Sequence, residues 1–163
     1  MLQAGPLSLD STPKVIERLV SAGKRVRLAS LALVTLEREL KATRRLAAQD
    51  ALEVEIGELA AHAAMKGRAH AVGPMVNVYN AATARVLAAR GATSICLPPE
   101  LPLTAISAIV AGAPELDFEV FAFGKVPLAI SARCAHARLK ALTKDNCQFV
   151  CGEDPDGGCP GDC

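Results

Sequence analysis

The chain has 163 residues, 51% of them hydrophobic and 21% charged, which provides for a buried core and excludes a disordered chain. Lysine and arginine total 18 against 17 acids, so the net charge of +1 excludes nucleic-acid binding through a bulk basic excess. Aromatics at 3%, with no tryptophan, argue against base-stacking platforms, and no apolar stretch approaches the ~20 residues of a membrane span.

Thr12-Pro13 places a cap and a first-turn proline ahead of an apolar stripe of Val15, Ile16, Leu19 and Val20, and Gly23 closes that helix. Residues 25–30 alternate polar and apolar and run into Leu31, Ala32, Leu33 and Val34, which predicts a strand whose later part is fully buried. Leu36, Leu40 and Leu46 mark a helix with Glu37 and Glu39 early and Arg44 and Arg45 late, as its dipole favours. Residues 52–56 are a strand and 58–65 a helix ended by Gly67. Residues 69–72 are strand-like, and 81–89 are a helix ended by Gly91. Residues 93–97 form a strand broken by Pro98-Pro99, residues 101–111 a helix, and residues 118–123 a strand ended by Gly124. Short strands alternating with helices predict a parallel sheet with right-handed crossovers. The spacing suits either an open α/β sheet or an incomplete (β/α)8 TIM-type barrel of about five parallel strands. On the barrel reading, residues 1–142 form a partial α/β barrel, and residues 143–163 form an irregular, Cys-rich metal-binding loop and tail.

Five of the six cysteines, all but Cys96, lie in the last 30 residues. No basic, apolar leader opens the chain, so the cytoplasm is the expected compartment, where thiols stay reduced. Clustered reduced thiols read first as metal ligands. Cys134-x12-Cys147-x3-Cys151 suits an iron–sulfur cluster or zinc, with one ligand still to be supplied. Arg133, Arg138, Lys140 and Lys144 surround these thiols and would offset the charge of a ligated cluster, although a solvated basic face has the same pattern. Alternatively, Cys147, Cys151, Cys159 and Cys163 form two pairs that could staple the tail around one zinc.

Other polar residues fall where barrel active sites form, at the carboxyl ends of strands. They are Glu55, Glu100, Asn77, Tyr79 and Asn80, each by itself as suited to a cap or turn as to catalysis. His62 is expected on a helix flank and His70 beside a strand, while His136 lies two residues after Cys134. No nucleophile-elbow glycines flank Ser30, Ser94 or Ser131.

The run Glu119-Val-Phe-Ala-Phe-Gly-Lys-Val-Pro-Leu-Ala-Ile-Ser-Ala-Arg-Cys134 resembles the signature of the collagenase-like peptidase family. Pro127-Leu-Ala-Ile-Ser-Ala-Arg-Cys134, Lys144-Asp-Asn-Cys147 and Cys151 are most similar to its ubiquinone biosynthesis branch. Leu28-Ala-Ser-Leu-Ala-Leu-Val34, Asn77-Val-Tyr-Asn-Ala81 and Cys96-Leu-Pro-Pro-Glu-Leu101 agree, and the likeness runs from about residue 14 to 157. It implies a (β/α)8-type barrel carrying a [4Fe-4S] cluster, with Cys134, Cys147 and Cys151 as ligands and a fourth cysteine expected before Met1, unless Cys159 or Cys163 takes its place. It also implies a heterodimer with a UbiU-like protein. The reaction implied is oxygen-independent hydroxylation of a ubiquinone precursor, with prephenate as hydroxyl donor. The likeness further implies sequence before Met1 and after Gly157, so the chain is expected to be a fragment and poorly stable alone. A zinc-stapled interaction module and a peptidase homologue are the competing readings.

Overall fold

Helix and strand alternate along the chain as the apolar rhythm predicts. The computed structural model describes residues 12–124, 135–143 and 146. They contain α1 (Thr12–Ser21), β1 (Arg27–Ala29), α2 (Glu37–Ala48), β2 (Glu53–Ile56), α3 (Leu59–Met65) and β3 (His70–Val72). A 3-10 turn (Pro74–Val76), α4 (Ala81–Ala88), β4 (Ala92–Cys96), α5 (Leu103–Gly112), β5 (Asp117–Glu119) and α6 (Ala135–Leu139) follow. The chain divides into two compact units, residues 25–126 and residues 1–24 with 127–163. The expected Cys-rich segment at 143–163 lies outside the described residues, apart from Thr143 and Asn146.

Local chemistry sets the helix starts in the larger unit. The Glu39 carboxylate reaches back to the N–H groups of Thr35 and Leu36, at 2.8 and 3.0 Å, and opens α2. Glu58 accepts from the Ala61 N–H at 3.2 Å to open α3, and Asn80 accepts from the Thr83 N–H at 2.8 Å to open α4. In the other unit, Gly23 ends α1 with φ at 70°, a left-handed conformation that a side chain resists. The apolar stripe on α1 leaves Val15, Leu19 and Val20 exposed.

The five strands form one parallel sheet in the order β1-β2-β3-β4-β5. Doubly wound sheets reverse direction at a switch point, whereas barrels wind in sequence. One face of the sheet carries Leu28, Val54, Ile56, Val72, Ile95 and Phe118 in register. Val54, Ile56, Val72 and Ile95 join the core with Ala47 of α2, Met65 of α3, Leu87 of α4 and Ile109 of α5. All four helices thus draw on the same face of the sheet.

The opposite face shows that the sheet curls. Arg27 on edge strand β1 bonds Glu119 on edge strand β5 at 2.7 Å. In a flat sheet those edges would stand about 19 Å apart, four strand spacings. The face carrying both residues is therefore concave, as in a barrel wall.

Two strands are shorter than expected. β1 stops at Ala29, and Leu31 is exposed rather than buried. The Ser30 hydroxyl takes the Gly57 N–H at 2.7 Å, which diverts the ladder, and an edge strand lacks a second neighbour to bury it. β5 stops at Glu119, leaving Val120, Phe121 and Phe123 exposed. Its last ladder bond is from the Leu97 N–H to the Glu119 carbonyl at 2.9 Å. Pro98 and Pro99 follow on the β4 side and have no N–H to continue it.

Candidate functional site

The concave face holds the charge that the rest of the sheet excludes. Strand alternation puts Arg27 and Ala29 of β1, Glu53 and Glu55 of β2, Ala71 of β3, Ser94 and Cys96 of β4, and Asp117 and Glu119 of β5 on this one side. The Arg27 guanidinium donates to Glu119 at 2.7 Å, Glu53 at 3.2 Å and Glu55 at 3.4 Å. Burial opposes its charge, but the carboxylates of Glu119 and Glu53 outweigh that and raise its pKa. Arg27 is thus a fixed cation. Glu55 is the deepest acid, its side chain only 6% exposed. Burial raises its pKa, the Arg27 bond pulls it down, and repulsion from Glu119 and Glu53 adds to the rise. Gly73 makes room for it, since a Cβ there would lie 3.0 Å from the Glu55 Oε1 atom. Such an arrangement can hold an exchangeable proton and present an acid-rich surface to a ligand.

Cys96 ends β4 half-buried on this face. Burial, then the Glu119 and Glu55 carboxylates, push its thiol up to about 11, so it stays protonated and is a poor nucleophile. At the strand ends, the exposed Tyr79 hydroxyl donates to Glu100. That bond lowers the Glu100 pKa and raises that of Tyr79. Asn77 closes the 3-10 turn at φ 60°, and Asn80 caps α4, so both act as local backbone braces. No described hydrogen bond links this group to Arg27 or Glu55.

Two histidines pack on the helix side. His70 Nδ1 lies 2.7 Å from the Arg68 carbonyl, which assigns the proton to that nitrogen. His70 Nε2 then accepts from His62 Nδ1 at 3.0 Å, and His62 Nε2 is buried with no partner. Burial lowers the pKa of both rings. For His62, the neighbouring His70 and Arg90 lower it further.

The family model for peptidase family U32 matches residues 2–154. The chain belongs to peptidase family U32. This is the collagenase-like peptidase family that the sequence motifs resemble. No solved structure matches the chain. The U32 match takes in Cys134, Cys147 and Cys151 and ends before Cys159 and Cys163.

Those five cysteines, with Arg133 and Lys144, lie outside the described residues of this U32 chain, as does the His136 side chain. Arg138 and Lys140 are exposed. Of the residues singled out in sequence, Glu55 joins the concave cluster, and His62 and His70 pair with each other. Sequence reasoning missed Arg27, Glu53, Glu119 and Gly73, and weighed Ser94 only as a nucleophile. A signal was present: Glu53-x-Glu55 and Asp117-x-Glu119 put acids at period two on strands, marking one face as polar.

Proposed function

We propose that this U32 protein is a UbiV-like iron–sulfur subunit of an oxygen-independent ubiquinone hydroxylation system. It works in the cytoplasm as a heterodimer with a UbiU-like protein, on a ubiquinone precursor with prephenate as hydroxyl donor. The observation that carries the reading is Cys134-x12-Cys147-x3-Cys151, which falls wholly within the family match, whereas the zinc-staple set needs two cysteines beyond it. The donor set fits the group in kind, because thiolates are soft ligands suited to iron–sulfur clusters. Cys134, Cys147 and Cys151 would hold a [4Fe-4S] cluster, with a fourth ligand from elsewhere. Cys96, a neutral thiol among carboxylates, is a poor candidate for that place. When bound, the cluster supplies one-electron redox capacity. The chain's own residues contribute the concave face, where Glu55 can hold a proton and Arg27 fixes the surrounding acids. Peptide hydrolysis with Cys96 as nucleophile is less well supported, because burial and the neighbouring carboxylates hold its thiol protonated.

The test is purification without air, followed by iron, sulfide and zinc analysis. About four iron and four sulfide per chain are expected. Cys134→Ser, Cys147→Ser and Cys151→Ser should each abolish them, while Cys96→Ser should not. One zinc and no iron, dependent on Cys159 and Cys163, would replace this reading with the stapled module. Peptide hydrolysis that survives all three cysteine substitutions would return it to the peptidase.

A further inference from the structure

We propose that the concave face of the sheet is a binding site for the primary ammonium group of a small molecule, received by Glu55, Glu119 and the Ser94 hydroxyl. The inference goes beyond the hydroxylation reading, since neither a cluster nor an anionic donor supplies such a group.

The first argument is charge. Three carboxylates converge on Arg27, only Glu53 has a second cation in the exposed Arg25 at 3.2 Å, and Asp117 lies in register with Ser94 on the same face. The described face is therefore short of positive charge. Burial raises the Glu55 pKa, and repulsion from Glu119 and Glu53 adds to the rise against the pull of Arg27, so a further cation beside it would be favourable. The second argument is an orphaned hydroxyl. Ser94 Oγ is buried with no hydrogen-bond partner, although nearly all buried polar groups have one. It stands on the same face as Glu55, two strands away in the register row Glu55, Ala71, Ser94, with the Ala71 methyl group between them. The third argument is a free acceptor. Arg27 bonds Glu55 at Oε2, and Oε1 takes no hydrogen bond among the described residues.

An ammonium group has three donors and one positive charge, which matches three acceptors in an acid-rich hollow. A carboxylate or phosphate would be repelled there. A neutral hydroxyl would offer one donor and leave the charge unmet.

Calorimetric titration of the full chain with benzylammonium, benzyl alcohol and benzoate tests this, because the ring is constant and only the head group changes. Benzylammonium should bind at least about tenfold more tightly than the other two, the scale of one charge-assisted hydrogen bond. Glu55→Gln should weaken binding about tenfold. Ser94→Ala should weaken binding as well. If Glu55→Gln fails to fold, Ser94→Ala and the half-exposed Glu119→Gln carry the comparison. Preference for benzoate, equal binding of all three probes, undiminished binding by the variants or no binding at all would overturn the proposal. Iron content of the same preparations is a separate readout, so failure here is distinct from failure of the cluster reading.

Discussion

Replacing Arg27 with methionine tests what the guanidinium does for the concave face. Its three partners differ in burial, with side chains 6% exposed for Glu55, 29% for Glu53 and 41% for Glu119. The pairs with Glu53 and Glu119 are open to solvent and stabilise by about 0–1 kcal/mol each. Glu55 differs, because removing the partner of a buried charge typically costs about 3–5 kcal/mol. The Glu55 contact is a long 3.4 Å, and the carboxyl can escape by taking up a proton, so the lower end applies. We expect Arg27→Met to lose about 3 kcal/mol at neutral pH, or about 1.5 M in urea midpoint for a slope near 2 kcal/mol/M. The pH dependence has a definite sign. The Glu55 pKa is raised in the folded state, so the folded protein binds the proton more tightly than the unfolded chain. Its stabilisation is fully present below the unfolded value of about 4.3 and is lost as pH rises through the folded value. The deficit of Arg27→Met should therefore shrink on acidification, and adding Glu55→Gln should recover more than half of it at neutral pH. Urea titrations at several pH values measure all three. A deficit below about 0.5 kcal/mol, a deficit that grows in acid, or no rescue by Glu55→Gln would refute the reasoning.

The buried histidine pair should make the fold acid-sensitive. Both rings have lowered pKa values when folded, so stability should fall as pH drops below about 6.5, and His62→Gln should flatten that slope in thermal melts. Asn80→Ala removes the cap of α4 and should cost about 1 kcal/mol by chemical denaturation, whereas Asn80→Asp should cost little. Ile95, wholly buried between sheet and helices, should cost about 2–5 kcal/mol when cut to alanine, with metal content per folded chain unchanged.

The strand positions were legible because apolar runs and proline or glycine punctuation act locally. All five strands begin within about two residues of where the pattern puts them. Strand ends were less legible because they depend on the neighbour. Nothing in residues 118–123 says that the ladder ends at Glu119; the reason is Pro98-Pro99, some 20 residues earlier in the chain. Leu31 to Val34 read as core because they are apolar, and only the edge position of β1 shows why they are not. At the site, Glu55 was found by its place at a strand end. Its partners Arg27 and Glu119 come together only through the curl of the sheet, which no local pattern encodes. The histidines were placed on the right elements, but their pairing needed the bulge between His70 and Ala71 and the turn of α3 above it.

The bond from Arg27 to Glu119 also bears on the order in which the molecule assembles. It joins residues 92 positions apart, whereas neighbouring strands pair through a single intervening helix. Closing so long a loop carries an entropic cost that adjacent pairings do not meet. The wall of strands should therefore build one crossover at a time, and the clasp between its first and last strands should form late. Contacts that form late govern how fast a protein comes apart rather than how fast it comes together. Loosening this clasp should accelerate unfolding, modestly for so exposed a pair, while leaving the folding rate nearly unchanged.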